Sequence, residues 1–216
     1  MKLYLFGGAE TDQGQAPLLK QQISDVLAEI KPKQLLYIPY ARIKVPKGEE
    51  ETWGEGWVPR DLNLKGIELL DARNQNDLVH AKTPAIFMNG GPEGDVLYDK
   101  IISNNRLYDL VMNAGCIISE SAGSTDCGEY RRTYRDDKVG TTKGLGILKS
   151  TIIEAHYTQR KRHELLRDEM KQAGAKYGLG IDSLTAAVID TKTYPKKYRV
   201  IGSGRVELIR KDDLIS

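Results

Sequence analysis

The chain has 216 residues, with 32 Lys and Arg against 30 Asp and Glu, and is 40% hydrophobic and 29% charged. That is a folding composition rather than a disordered one, and a formal charge of +2 offers no general field for nucleic acid or an acidic membrane surface. No apolar run approaches the roughly 18 residues of a membrane span, and two cysteines, Cys116 and Cys127, cannot build a disulfide framework or a thiolate zinc site.

In chain order, Leu3 to Phe6 reads as a short strand running into Gly7 and Gly8. It lacks the length and cleavage pattern of a secretory signal, so a cytoplasmic protein is expected. Residues 17–30 place Leu18, Leu19, Ile23, Val26, Leu27 and Ile30 at spacings of three and four, which predicts an amphipathic helix. Residues 34–39 form a buried-type strand ending at Pro39. Residues 42–63 carry Trp53 and Trp57 amid charge and glycine with little periodicity, and read as a long loop or short helix near the surface. Such a segment packs on the body or lids a site.

Two more strands follow at 66–71 and 85–89, the second running into Gly90, Gly91 and Pro92. Residues 95–113 read as one helix, and 116–119 as the next strand, whose Cys116 is expected to be inert packing. Continuously apolar strands separated by helices are the pattern of a parallel sheet covered on both faces, so a three-layer, doubly wound, mostly parallel α/β fold is expected. Residues 164–173 read as a helix, 185–190 as a strand, and 200–209 as a hairpin around Gly202 to Gly204. No repeat or linker divides the chain, so one domain over 1–216 is expected, and the sequence leaves a homodimer open.

The most informative stretch is Gly115 to Ser124, an apolar strand running into Ser121-Ala122-Gly123. A nucleophile elbow needs this arrangement: a serine on a strained strand-to-helix turn, with small residues around it so that chains pass closely. Ser119 stands where the usual pattern has glycine. The Ala122 N–H would face a developing oxyanion. Ligands in open α/β sheets bind at the carboxyl ends of strands, where Ser121 lies.

A serine needs a base, and the chain has three histidines. His156 follows an apolar run and falls at a strand's carboxyl edge; His163 lies in the 164–173 helix region among charges, and His80 in a polar stretch. His156 is the best base. The orienting carboxylate is open among Asp136, Asp137, Glu129, Asp126 and Glu154. The Asn89-Gly90-Gly91 turn offers a second oxyanion donor.

At these residues the chain resembles the peptidase E (aspartyl dipeptidase) and cyanophycinase family of serine peptidases, whose fold is like the class I glutamine amidotransferases (flavodoxin-like). Asn89-Gly90-Gly91 is similar to the family's glycine turn, and Ser119 to Ser124 to its nucleophile segment. His156 to Arg162 resembles the His-aromatic-x-x-Arg-x-Arg run of the cyanophycinase-like branch, as Gly178 to Ala186 resembles its Gly-x-Gly-Ile-Asp-x-x-Thr-Ala segment. Val200 to Val206 is similar to the terminal hairpin.

The resemblance implies Ser121 as nucleophile, His156 as general base, Asp136 as the acid by alignment (Asp137 after a one-residue slip), and Gly91 and Ala122 as oxyanion donors. It implies a short acidic peptide as substrate, cut after Asp, or Asp–Arg isopeptide units as in cyanophycinase. Arg160 and Arg162, one turn from His156, are the expected clamp for the substrate's carboxylate. Neither a metal nor an organic cofactor is indicated. The competing readings are a non-catalytic binding or regulatory protein on the same scaffold, and an esterase or amidase of non-peptide ligands.

Overall fold

The computed structural model describes residues 1–135 and 138–214. It begins with strand β1 (Lys2–Phe6), helix α1 (Ala16–Ile30) and β2 (Gln34–Ile38), with Pro17 at the start of α1, where a missing N–H costs nothing. Two short helices, α2 (Glu50–Trp53) and α3 (Trp57–Asp61), lead to β3 (Glu68–Asp71), α4 (Gln75–His80) and β4 (Ala85–Met88). The helical stretch after β4 is two helices, α5 (Gly94–Ser103) and α6 (Asn105–Met112). The break is at Asn104, which leaves helical geometry and caps α6 by accepting from the Leu107 N–H.

Strand β5 (Cys116–Glu120) runs through Ser121 into the single turn α7 (Ala122–Thr125). Then come β6 (Gly128–Arg135), β7 (Lys138–Lys143), β8 (Leu148–Ala155), α8 (His163–Ala173), β9 (Tyr177–Ile181), β10 (Thr185–Asp190), β11 (Arg199–Gly202) and β12 (Val206–Arg210). No helix among the described residues is long and apolar enough to cross a membrane.

The strands form two sheets. The larger has order β11-β10-β1-β5-β4-β2-β3, parallel from β1 to β3 and antiparallel where β10 and β11 join. The smaller has order β12-β9-β8-β6-β7, with β6, β8 and β9 parallel. The expected α/β class and parallel core are present. The second sheet was not foreseen, because the charged β6 and β7 (GEYRRTYR, KVGTTK) lack an apolar signal. The expected hairpin at 200–209 is also not one: β11 pairs with β10 in the larger sheet, whereas β12 pairs with β9 in the smaller.

Alternation along each strand divides the core. Leu3, Leu5, Leu36, Ile38, Ile86, Met88 and Ile117 face one cluster, and that cluster also takes Ile153, Leu179 and Ile181 of the smaller sheet. Tyr4, Phe6, Leu35, Tyr37, Phe87 and Ile118 face the other, under α1. Trp53 and Trp57 belong to this second cluster, at 3% and 2% exposure, so the 42–63 segment is buried at its tryptophans rather than a surface loop. Trp57 donates to the Tyr37 hydroxyl at 3.0 Å and meets Trp53 and Phe87 edge-on. These contacts override the weak local pattern.

Candidate active site

Ser121 sits where β5 ends, between the carboxyl ends of β1 and β4, so loops from three neighbouring strands converge on it. Its backbone has φ 49° and ψ −112°, a conformation side chains other than glycine rarely take. The bend is held by its N–H donating to the Phe6 carbonyl at 3.0 Å and by its carbonyl accepting from the Ser124 and Thr125 N–H groups. Ser119, in the place of the usual glycine, shares a hydrogen bond with the Ser124 hydroxyl at 3.0 Å, and Ser124 donates to the Phe6 carbonyl at 2.8 Å. The extra hydroxyl is buried and used.

His156 follows β8 of the smaller sheet, also at positive φ (50°), with its N–H on the Gly7 carbonyl at 3.0 Å. Its Nε2 lies 3.0 Å from Ser121 Oγ. The sequence expectation that these two meet at strand ends is what the structure shows, although they arrive from different sheets. Gly8 makes the approach possible: at φ 94°, a Cβ there would stand 2.7 Å from the imidazole and 3.1 Å from Ser121 Cβ.

The carboxylate on His156 Nδ1 is that of Glu10, in the loop after β1, at 2.5 Å. Asp136 and Asp137 lie outside the described residues. Of the other acids considered, Glu129 accepts from the Ser150 N–H, Glu154 pairs with Arg132 and Arg162, and Asp126 is buried near Arg131; none of these contacts involves His156. The Ser183 hydroxyl bridges the pair, 3.0 Å from Nδ1 and donating to Glu10 Oε1 at 2.9 Å. Arg160 donates to the other oxygen, Oε2, at 3.2 Å.

The hydrogen bond to His156 holds the Glu10 carboxyl down to about 2 against its burial. Burial lowers His156 below 6.5, against the raising effect of Glu10. A carboxylate ionised at neutral pH only accepts, so Nδ1 carries the proton and Nε2 presents its lone pair to the Ser121 hydroxyl. Glu10 and Ser183 were missed by sequence reasoning. The available signal was an acid just past Gly7-Gly8, at the end of a strand, but nothing in the sequence says that β1 and β5 are neighbours.

The remaining expected residues gather nearby. Gly91, Ala122, Arg160 and Arg162 line a cavity of about 270 Å³ together with Ser121 and His156. Ala122 opens α7, so its N–H has no intrahelical acceptor. Gly91 must be glycine, since a Cβ there would stand 2.0 Å from the Ala41 carbonyl oxygen. Arg162 is committed to Glu154 Oε2 at 2.8 Å and to the Ala155 carbonyl. His80 pairs with Glu68 at the surface, and His163 packs on Tyr157 beside Arg205. Burial pushes the Cys116 thiol up to about 11, far from a reactive thiolate.

No family model matches the chain. The cyanophycinase of Geminocystis herdmanii is 24% identical over 172 residues, covering 69% of this chain and 60% of its own length. The cyanophycinase of Synechococcus elongatus is 26% identical over 172 residues, covering 72% of this chain and 52% of its own. Among solved structures, a peptidase from an acI-B1 actinobacterium shares the fold with a TM-score of 0.64 at 21% identity, over 97% of this chain and 90% of that one. A candidate peptidase E protein from Listeria monocytogenes gives 0.59 at 13%, over 94% and 98%. In sequence the chain is similar to these cyanophycinases, and in fold to these peptidase structures. It spans between half and three fifths of the curated cyanophycinases it matches. Within this fold, Glu10 and Ser183 bracket His156 from just beyond the ends of β1 and β9.

Proposed function

We propose that the chain is a serine-type peptidase that cleaves an amide bond after an acidic residue in short peptides. The observation that carries this is the continuous chain of contacts from Ser121 Oγ through both nitrogens of His156 to Glu10. Support comes also from the strained elbow at Ser121 and from the peptidase fold. In the reaction, the Ser121 proton passes to His156 Nε2 as Oγ bonds to the substrate carbonyl carbon. Negative charge then develops on the carbonyl oxygen, and the Gly91 and Ala122 N–H groups are the donors assigned to it. Imidazolium forms against the Glu10 carboxylate, which stabilises it without taking the proton. His156 returns that proton to the departing amine as the C–N bond breaks, and water repeats the sequence on the acyl-enzyme.

The cyanophycinase matches favour a second substrate within the same chemistry, the β-Asp-Arg isopeptide. A panel of Asp-X dipeptides, β-Asp-Arg and p-nitrophenyl esters separates these readings. Covalent fluorophosphonate labelling is expected in the parent protein and absent in Ser121→Ala. Labelling that persists in Ser121→Ala, or folded parent protein that takes no label, overturns the mechanism.

A further inference from the structure

A second cavity, of about 220 Å³, opens on the same Ser121 and His156 and is lined by Arg42, Trp53, Glu120 and Arg160. Arg42 is the unusual member. Its side chain is only 9% exposed, yet Nε and NH1 are buried with no hydrogen-bond acceptor among the described residues. Its nearest carboxylate oxygen, Glu120 Oε1, is 3.5 Å from NH1 and already accepts from the Gly90 N–H at 2.5 Å. The other arginines at the site have carboxylates at closer range: Arg160 on Glu10, Arg162 and Arg132 on Glu154, Arg131 on Asp95. A buried guanidinium with donors left over is costly unless something fills them, and a planar fork of N–H groups is best matched by a carboxylate.

The guanidinium is also held still. It lies over the Trp53 ring, 4.3 Å from the centroid. Its backbone is fastened to the glycine turn beside Ser121: Ala41 accepts from the Glu93 N–H, and Ile43 and Lys44 donate to Glu93 Oε2. A Cβ at Gly91 would stand 2.9 Å from Arg42 Cβ, so Arg42 packs directly on the glycine assigned as an oxyanion donor.

We infer that Arg42, stacked on Trp53, is the specificity residue that receives the side-chain carboxylate of an acidic substrate in this second cavity. The inference rests on the peptidase reading and replaces Arg162, whose NH1 is taken by Glu154 and the Ala155 carbonyl, as the reader of substrate charge.

L-aspartate and L-asparagine, which differ only in that carboxylate, are titrated calorimetrically into Ser121→Ala protein with Arg42 intact, as Arg42→Lys and as Arg42→Met. With Arg42 intact, aspartate is expected to bind about 10- to 100-fold tighter than asparagine, the range for a hydrogen bond to a charged group. Arg42→Lys keeps charge but not the fork and retains part of that ratio, and Arg42→Met brings it near one. An unchanged ratio in Arg42→Met that melts as the parent does, or no preference with Arg42 intact, overturns the inference. Hydrolysis surviving in Ser121→Ala sinks the peptidase reading instead and leaves the titration ratio as the measure of Arg42.

Discussion

At the residue scale, Glu10 would make His156 a one-way base in the proposed mechanism. A carboxyl held down to about 2 is ionised throughout the working range, so it fixes the imidazole tautomer and meets the positive charge that forms. Glu10→Gln keeps the shape but offers a donor where an acceptor is needed; kcat is expected to fall by about 10²- to 10⁴-fold, measured on whichever amide substrate is turned over best. The pH profile has a defined sign. Burial sets His156 below 6.5 and Glu10 raises it, so the acid limb of kcat/KM is expected below pH 6.5 and moves to still lower pH in Glu10→Gln. A limb that moves upward would contradict this assignment. Gly8→Ala tests the packing under the same pair: its Cβ displaces the imidazole, and a shift of about 1 Å at the reacting atoms costs about 10²-fold in turnover.

At the element scale, the segment from 50 to 61 shows how tertiary packing overrules local pattern. Trp57 seals the face of the sheet opposite the second sheet, against Tyr37 and Phe87, and Trp53 carries Arg42 to the edge of the site. Trp57→Ala is expected to destabilise the protein by about 3–5 kcal/mol, which for a chain of this length lowers Tm by roughly 10 °C or more. Thermal unfolding checks it; a shift under about 2 °C would mean that Trp57 is not core. Other elements differ from expectation for equally local reasons. Asn104 divides one apolar pattern into α5 and α6 because its side chain caps better than it continues. Gly202 to Gly204 looked like a hairpin turn, but the strands on either side belong to different sheets.

Across the whole molecule, the site is a seam. Ser121 and Glu10 come from the larger sheet, His156 and Ser183 from strand ends of the smaller, and backbone bonds from His156 to Gly7 and from Leu184 to Gly8 stitch the two. Buried ionisable groups make stability depend on pH from both sides. Glu10, depressed to about 2, contributes stability above its unfolded value near 4.5 and loses it as pH falls toward about 2; His156, kept neutral by burial, costs stability as pH falls below 6.5. Asp126 is pushed up to about 8 by complete burial, so its contribution is full below its unfolded value near 3.8 and is lost progressively as pH rises to about 8. Tm is therefore expected to fall between about pH 6.5 and 8, and Asp126→Asn to flatten this alkaline limb while leaving the loss of stability below about pH 4.5 from Glu10 in place. An alkaline limb of unchanged steepness in that variant would show that Asp126 is not its source.

Much of this was legible in the residues themselves. Continuous apolar runs at 3–6, 35–38, 85–88 and 116–119 dictate a buried parallel sheet, because only strands covered on both faces need no polar side. A small-residue bend after such a strand dictates an exposed serine at its carboxyl end, and a histidine after a second apolar run dictates its counterpart. Strand adjacency has no such local signature: hydrogen bonding between β1 and β5 is a contact across more than a hundred residues, and together with the bond from His156 on the other sheet to Gly7 it brings Glu10 beside His156. Likewise β6 and β7 pair through backbone groups that every residue carries, so a charged sequence joins a sheet unannounced. Local chemistry singled out Ser121 and His156; the packing of two sheets brought Glu10 to His156 and Arg42 to the cavity beside them.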